Sequence, residues 1–315
     1  SAISTAMARE ATATGINWSF TPVLDINAKF KSAIVATRGF GSDVPTIERH
    51  VLAQLRAFQS NGVAVAIKHW PGEGFDDRDQ HLVTTVNPLS AEEWEANFGR
   101  LYRAAIKAGA LSVMAGHIAL PSYIRTRNPD AGVELYRPAS ISRDLNVGLL
   151  REQLGFNGVI VSDATGMAGL KAWSTRAEYL PELVAAGCDV ILFVDDMEQD
   201  RRFVADALAD GRLGWDRVDE AVLRQLAMKA AMGLHKPAAA VTAPDLAAHG
   251  RLAEDAARRA PTLVKDTQAL LPLDPEKHRR VLVFSTGIVF PFMPGPLPFA
   301  LPEMLRARGF EVTLA

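Results

Sequence analysis

The chain has 315 residues, of which 48% are hydrophobic and 22% are charged, and its formal net charge is -2. This composition is typical of a globular protein with a full core, and it argues against the strongly basic face of a nucleic-acid-binding protein. No apolar run reaches the ~18 residues of a membrane span, and no signal peptide is recognisable, which favours a cytoplasmic over a secreted protein. The single cysteine, Cys188, lies in an apolar run and is expected to be a buried, inert thiol.

Short apolar runs alternate with helical patterns along the first part of the chain, after an Ala-rich N-terminal segment that predicts a helix. Continuous apolar runs of this kind are typical of parallel strands that are buried on both faces. Each run ends in polar or charged residues, and the runs are 17–24, 63–67, 111–115, 159–161 and 190–194.

The segments between these runs contain helix signals. Residues 46–60 have apolar side chains at helical spacing, Ser90–Glu93 predicts a capping box, and Ser142 opens a further helical pattern. Strands and helices in alternation predict βα units and a parallel sheet.

Two architectures fit this alternation, a (β/α)8 barrel and an open doubly wound sheet. The barrel is favoured because the titratable residues follow the carboxyl ends of the runs, which form the catalytic face of a barrel. No Gly-rich dinucleotide fingerprint follows a run, as an open nucleotide-binding sheet would require. We therefore predict a barrel over residues 1–234, a linker and helix over 235–262, and the beginning of an α/β sandwich domain over 263–315, with a strand at 280–285. The Pro-, Gly- and Phe-rich stretch 288–298 receives no assignment.

The segment Lys68–His81, with the sequence KHWPGEGFDDRDQH, is the densest group of candidate functional residues. Asp79 and His81 are two positions apart, so both side chains fall on one side of an extended segment. A carboxylate beside an imidazole orients the ring and stabilises its protonated form, as a general acid requires. A solvated charged loop is the alternative. The histidines do not have the spacing of metal ligands, so no metal is predicted.

A second candidate is Asp163, which ends the segment GFNGVIVSD. A short apolar strand that ends in Ser-Asp places a carboxylate at the mouth of a parallel sheet. The alternative is that Asp163 caps the following helix.

Several segments together resemble glycoside hydrolase family 3, in its bacterial β-N-acetylglucosaminidase branch. They occur in the family's order from about residue 5 to about residue 285. They are KHWPGEG with its downstream Asp-x-His, PASIS with LLREQLGFNGVIVSDA, GINWSFTPVLDI, RGFGSD, AGCDVILF and PTLVKDTQALLPL.

The resemblance implies roles for individual residues. Asp163 matches the nucleophile, His81 matches the acid/base, and Asp79 matches the carboxylate that orients the acid/base. Residues predicted to bind or line the sugar site are Arg38, Lys68, His69, Asp25, His117 and Met167. For His117 a satisfied core histidine is an equal alternative, and Met167 is expected to line the wall. No cofactor is expected.

The implied activity is exo-acting, retaining hydrolysis of β-linked N-acetylglucosaminides through a glycosyl-enzyme, so the implied partner is a carbohydrate. A neutral imidazole repels phosphate less than a carboxylate does, which leaves phosphorolysis open. A β-glucosidase or β-xylosidase of the same family is a further alternative, although such enzymes usually take their acid from a Glu in the second domain. An inactive fragment or sugar-binding relative is the last alternative.

Two departures from the family pattern stand out. Glu73 replaces the usual His of the K-H-F-P-G-H-G pattern and is an alternative acid, although His81 is preferred because it has the Asp partner. The family's opening strands, with their D-x-E-G-G-x-V-x-R motif, are absent from this sequence. We therefore expect a barrel that is incomplete at its N-terminus, and weak hydrolysis of p-nitrophenyl N-acetylglucosaminide by these 315 residues alone.

Overall fold

The computed structural model of the chain describes residues 2–32, 34–237, 242–284 and 300–315. Two compact units are present, Ser1–Ala253 and Glu254–Ala315. The described strands are β1 (Trp18–Ser19), β2 (Ala64–Trp70), β3 (Thr85–Val86), β4 (Ser112–Ala115), β5 (Ile118–Ala119), β6 (Val159–Ala164), β7 (Val190–Leu192), β8 (Arg280–Val283) and β9 (Glu311–Leu314).

Helices connect most of the described strands, except between β2 and β3 and between β4 and β5. None of these helices combines the length and the apolar character that a bilayer crossing needs. Two π-helical segments (Glu95–Gly99 and Asp144–Gln153) and three 3-10 turns (Ala36–Arg38, Gly132–Tyr136 and Ala139–Ile141) accompany the α-helices. The α-helices are α1 (Ala2–Ala13), α2 (Val44–Gln59), α3 (Ala91–Trp94), α4 (Arg100–Lys107), α5 (Pro121–Arg127), α6 (Ala168–Lys171), α7 (Arg176–Ala185), α8 (Met197–Ala209), α9 (Trp215–Ala231), α10 (Leu246–Arg259) and α11 (Leu301–Arg306).

The first unit contains a five-stranded parallel sheet with the strand order β1-β2-β4-β6-β7. The predicted α/β architecture with a parallel sheet is therefore confirmed. Its strands are in register at the centre, where Ile67 pairs with Val113 and Val113 pairs with Ile160. These three side chains belong to the main hydrophobic core, while Ala66, Met114 and Val161 form a small cluster of their own. This alternation follows the two-residue period of a strand.

The predicted strand 17–24 is wrong in its length. Only Trp18–Ser19 is a strand, and it pairs with β2. Pro22 has no backbone N–H and cannot donate to a strand ladder, so regular pairing stops before it. A single parallel bridge resumes at Val23, opposite Lys68, and this bridge brings Asp25 beside the end of β2.

The helix start predicted at Ser90 is confirmed. The Ser90 hydroxyl accepts a hydrogen bond from the Glu93 N–H (3.1 Å), and the Glu93 carboxylate accepts one from the Ser90 N–H (2.9 Å), which is a capping box. The helix predicted from Thr46 begins at Val44, because the Asp43 carboxylate caps it by accepting from the Thr46 N–H. The helical pattern after Ser142 is present as a π-helix.

Cys188 is fully buried, and burial, followed by the nearby carboxylate of Asp189, raises the pKa of its thiol to about 12. The expected burial of this thiol is therefore confirmed, and its lack of reactivity stays a prediction.

In the second unit, β8 and β9 pair in parallel. The strand predicted at 280–285 is found at Arg280–Val283. Residue 285, the unassigned stretch 288–298 and part of the predicted linker, residues 238–241, lie outside the described residues. The division into a barrel, a linker and a sandwich domain stays a prediction.

Candidate active site

Asp163 lies at the carboxyl end of β6, between β4 and β7 in the sheet, and its side chain is partly exposed. One carboxylate oxygen, Oδ1, accepts a hydrogen bond from the N–H of Ala164 at 2.8 Å. Within the described residues no other hydrogen bond to this carboxylate is formed. The second oxygen is therefore available to a molecule at the mouth of the sheet.

The surroundings of Asp163 favour its ionised form. Burial raises the pKa of this carboxyl, but the imidazoles of His69 and His117, the Ala164 N–H and the Lys68 ammonium outweigh that effect and lower the pKa below its usual value. A nucleophilic carboxylate must be ionised near neutral pH, and this environment provides for that.

His69 lies at the end of β2 and is held by a buried carboxylate. The Oδ2 atom of Asp25 lies 2.6 Å from Nδ1 of His69, and its Oδ1 atom accepts hydrogen bonds from the N–H groups of His69 (3.1 Å) and Glu73 (3.0 Å). This contact assigns the proton of the neutral ring to Nδ1 and leaves Nε2 for a ligand. Asp25, predicted to bind or line the sugar site, is 1% exposed and contacts His69.

Lys68 precedes His69 and is partly exposed. Burial and the positive charge of Arg38 lower the pKa of its ammonium group, while the carboxylates of Asp163 and Asp25 oppose this change. The Arg38 guanidinium donates to the Ile34 carbonyl (3.1 Å), and the residue is otherwise exposed.

The predicted contact between Asp79 and His81 is present. Oδ1 of Asp79 lies 2.6 Å from Nδ1 of His81 and accepts a second hydrogen bond from the His81 N–H at 2.9 Å. The side chains are 27% and 50% exposed respectively, so the other ring nitrogen of His81 is open to a ligand. A carboxylate on Nδ1 leaves Nε2 as the atom that can carry or accept a catalytic proton.

His117 is a buried, fully bonded histidine. Its Nε2 atom donates to the Ala164 carbonyl (3.0 Å), which leaves Nδ1 to accept from the Ser140 hydroxyl (2.8 Å). Burial lowers the pKa of its ring despite the opposing charge of Asp163, so the neutral form is favoured. Neither ring nitrogen is free for a sugar, and the structure agrees with the alternative of a satisfied core histidine.

Met167 is also buried, as expected of a wall residue. It immediately precedes α6, and its N–H donates to the Ala164 carbonyl at 3.1 Å. The next residue, Ala168, donates its N–H to the carbonyl of His81 at 2.9 Å. The segment that follows Asp163 therefore contacts the loop that contains His81.

Glu73 is enclosed rather than open to the site. Its side chain accepts hydrogen bonds from Gln80 Nε2 (2.9 Å) and the Thr85 hydroxyl (3.1 Å), and the residue is 2% exposed. Burial, then the charge of Asp25, raises the pKa of this carboxyl to about 8. A carboxyl held in this way cannot reach a glycosidic oxygen without leaving both partners, which favours His81 over Glu73 as the acid.

The glycines of the W-P-G-E-G motif are required by close packing. Gly74 has φ +116°, and a Cβ there would lie 1.8 Å from the Ile26 carbonyl oxygen. Gly72 has φ +120°, and a Cβ there would lie 2.2 Å from the Phe98 ring. Only glycine adopts these angles and leaves this space free, so the motif fixes the start of the loop against the core.

Asp25, His69 and Glu73 are close enough to be considered as metal ligands, because their ligand atoms lie within 4.8 Å of one another. Their proximity is already accounted for by the Asp25–His69 contact and by the partners of Glu73. We therefore do not assign them to a metal.

Some residues that build the site were missed from the sequence. Gln80, Thr85 and Ser140 are buried and supply hydrogen bonds to Glu73 or His117. Their only signal is a position beside a predicted functional residue, or within a family motif.

A carboxylate at a strand end and a carboxylate-paired imidazole on the adjoining loop are groups that can act as nucleophile and as general acid/base in glycoside hydrolysis. The chain belongs to glycoside hydrolase family 3, since the profile of the "Glycosyl hydrolase family 3 N terminal domain" matches residues 1–263.

Three known proteins illustrate the similarity. A "Beta-N-acetylglucosaminidase/beta-glucosidase" from Cellulomonas fimi is 44% identical over 289 residues, which cover 89% of this chain and 51% of the relative. The solved structure of a β-glucoside phosphorylase, BglX, bound to 2FGlc is 35% identical and has a TM-score of 0.90. The match covers 99% of this chain and 58% of the phosphorylase chain. A family 3 β-N-acetylglucosaminidase from Paenibacillus sp. str. FPU-7 is 26% identical with a TM-score of 0.81, over 99% and 59% respectively. The chain thus spans about half the length of the relatives it matches.

Proposed function

We propose that this chain contains the catalytic site of a retaining, exo-acting β-N-acetylglucosaminidase, with Asp163 as nucleophile, His81 as acid/base and Asp79 as the group that orients His81. The main support is the Asp79–His81 contact of 2.6 Å on a loop whose His81 carbonyl accepts from Ala168, five residues after Asp163. The names of the Cellulomonas and Paenibacillus relatives support the sugar class.

The proposed reaction has two displacements. In the first, the Asp163 carboxylate attacks the anomeric carbon, the bond to the glycosidic oxygen breaks, and the imidazolium of His81 gives its proton to that oxygen. In the second, the neutral imidazole takes a proton from water as the water oxygen attacks the anomeric carbon and releases Asp163. Asp79 holds Nδ1 throughout, so that Nε2 is the atom that exchanges the proton.

The remaining side chains hold the sugar or support the groups that do. We assign Lys68, Nε2 of His69 and Arg38 to the sugar hydroxyls, because charged and oriented donors form strong hydrogen bonds to them. Asp25 stabilises His69 from behind, and His117 holds the backbone beside Asp163. Met167 lines the wall of the site.

Phosphorolysis is the second candidate, and the similarity to a β-glucoside phosphorylase favours it. Once His81 has given up its proton, the ring is neutral, so an approaching phosphate meets no negative charge on the acid/base itself. Product analysis in phosphate buffer distinguishes the two reactions, since N-acetylglucosamine 1-phosphate forms only by phosphorolysis. The double name of the Cellulomonas relative makes β-glucosides the natural competing substrates.

We also propose that the five-stranded sheet is part of a (β/α)8 barrel. In the described structure β1 and β7 each have a neighbour on one side only, so both edges have free backbone groups to which further strands can pair. Residues 235–262 then form the linker and helix, and residues 263–315 begin the sandwich domain.

The nucleophile is tested by trapping the glycosyl-enzyme. The full chain is incubated with 5-fluoro-N-acetylglucosaminyl fluoride, and separately with 5-fluoroglucosyl fluoride, and the labelled peptide is mapped by mass spectrometry. We expect the label on Asp163 with the N-acetylated sugar, and none in Asp163→Asn. A label on another residue would disprove the nucleophile, and labelling by the glucosyl reagent alone would disprove the sugar class. Since the label accumulates, slow turnover is sufficient.

A further inference from the structure

Gln80 lies between the two members of the proposed acid/base pair, and its side chain points the opposite way. The side chains of Asp79 and His81 are both partly exposed, whereas Gln80 is 0% exposed. The chain turns here, because the N–H groups of Leu82 and Val83 both donate to the Asp79 carbonyl (2.9 and 3.1 Å), and this turn places Gln80 on the inner side. The buried side of residues 72–84, which we call the acid/base loop, is therefore centred on Gln80.

Both ends of the Gln80 amide are hydrogen-bonded. Its Oε1 atom accepts from the backbone N–H of His117 at 2.8 Å, so its Nε2 atom must face Glu73, to which it donates at 2.9 Å. The orientation of the amide is thus fixed by a donor that cannot rotate. Glu73 is in turn held by the Thr85 hydroxyl at 3.1 Å.

These contacts connect the acid/base loop with the strand end that holds Asp163. The backbone N–H of His117 donates to the Gln80 side chain. The His117 ring donates to the carbonyl of Ala164, the residue after Asp163. On the other side of the loop, the Thr84 hydroxyl donates to the Gly169 carbonyl at 2.7 Å, close to the contact between Ala168 and His81.

The fit between the loop and α6 leaves no spare room. A Cβ on Gly169 would lie 2.3 Å from the carbonyl oxygen of Gln80 and 3.1 Å from that of Val83. Because these are backbone atoms, neither can rotate away. The loop is therefore packed at Gln80 as closely as it is hydrogen-bonded there.

We propose that Gln80, held by Glu73, is a positioning residue that sets the place of the His81 imidazole relative to the Asp163 carboxylate. This inference rests on the proposed function of His81 and Asp163. Glu73 takes part as the acceptor that fixes the Gln80 amide, and not as a proton donor to the substrate.

The expected consequence depends on the leaving group. A strongly acidic phenol leaves as the phenolate without being protonated. An alkoxide is a much poorer leaving group, so an alkyl glycoside needs a proton from a well-placed acid. Misplacement of a catalytic group by about 1 Å costs on the order of 10²-fold in rate. Loss of the Gln80 contacts should therefore slow alkyl substrates by about 10- to 100-fold and leave the activated aryl substrate nearly unchanged.

The test measures kcat/KM of the full chain for 2,4-dinitrophenyl and methyl N-acetylglucosaminides. Gln80→Met preserves side-chain length without the amide, and Glu73→Ala removes the acceptor. Glu73→Gln is the conservative variant, because its amide oxygen still accepts from Gln80 and its amide nitrogen donates to Thr85. Arg78→Ala is the control on the exposed side of the same loop, where Arg78 binds Asp76.

We expect Gln80→Met and Glu73→Ala to reduce the methyl-to-dinitrophenyl ratio of kcat/KM by at least about tenfold, and Glu73→Gln and Arg78→Ala to keep it within about twofold of the original. An equal loss for both substrates would show a merely structural role and overturn the inference. If Gln80→Met does not fold, the comparison of Glu73→Ala with Glu73→Gln gives the same decision.

His81→Gly separates this inference from the proposed function. If His81→Gly lowers the ratio and the Gln80 and Glu73 variants do not, the positioning role is wrong and the acid/base assignment stands. If His81→Gly leaves the ratio unchanged, the acid/base assignment is itself wrong, and the positioning role is overturned with it.

Discussion

Replacement of Glu73 by Gln should change how the stability of the protein depends on pH. The folded state raises the pKa of this buried carboxyl from 4.5 to about 8, first through burial and then through Asp25. The proton is therefore bound more tightly in the folded protein than in the unfolded chain. The stability that this provides is complete below pH 4.5 and is lost as the pH rises through about 8.

The size of the effect follows from the two pKa values. One pH unit is equivalent to about 1.36 kcal/mol, so the span from 4.5 to about 8 corresponds to a loss on the order of 5 kcal/mol. From about pH 5 to about pH 9, the protonation of Glu73 should lose a contribution to the free energy of unfolding on the order of 4 kcal/mol. The amide in Glu73→Gln cannot ionise, so the variant keeps this stability as the pH rises. The amide oxygen also still accepts the hydrogen bond from Gln80.

The assay is urea unfolding at about pH 5, 7 and 9, followed by tryptophan fluorescence. Trp70 and Trp94 are buried in the core beside this loop and report on its unfolding. We expect the free energy of unfolding of Glu73→Gln, relative to the original protein, to increase by several kcal/mol from about pH 5 to about pH 9. Glu152→Gln, a change to an exposed carboxyl, serves as the control. A difference between the two proteins that stays constant within about 1 kcal/mol over this pH range would refute the reasoning.

Three further changes test other parts of the structure. Gly169→Ala should destabilise the fold by about 1–3 kcal/mol, because its Cβ would lie 2.3 Å from the Gln80 carbonyl oxygen, whereas Gly166→Ala has no atom within 4 Å of the new Cβ; equal melting temperatures would contradict this. Ser140→Ala should cost about 1–3 kcal/mol in the free energy of urea unfolding, because Nδ1 of buried His117 loses its hydrogen-bond partner, while Ser60→Ala at an exposed helix end should cost little; equal values for the two variants would count against this hydrogen bond. The Cys188 thiol should react with Ellman's reagent only after unfolding, since burial raises its pKa to about 12; stoichiometric reaction of the native protein would show that the thiol is accessible in the folded state.

The sheet could be predicted because its signals are local. The apolar runs at β2, β4, β6 and β7 and the capping box at Ser90 lie in continuous stretches of sequence, and the structure places strands and a helix start there. The run 17–24 was misleading in its length, because the apolar pattern continues through Pro22, whereas pairing requires an N–H that proline lacks.

The candidate site could be predicted only where partners are close in sequence. Asp79 and His81 are two residues apart, and their contact is present. By contrast, Gln80 and the backbone of His117 are 37 positions apart, and Asp25 and His69 are 44 apart. Neither periodicity nor a motif shows that such residues meet, since folding alone brings them together. The burial of Asp25 and His117 behind the open face follows from those long-range contacts.

The central claim is that the Asp163 carboxylate attacks the anomeric carbon while the His81 imidazole protonates the glycosidic oxygen bonded to that carbon. It is tested most directly by a crystal structure of the protein trapped with 5-fluoro-N-acetylglucosaminyl fluoride. We predict continuous density between an Asp163 carboxylate oxygen and the anomeric carbon, with Nε2 of His81 within about 3 Å of a water or phosphate poised to attack. A sugar bonded to another residue, or a His81 ring directed away from the anomeric centre with its loop in place, would contradict the account.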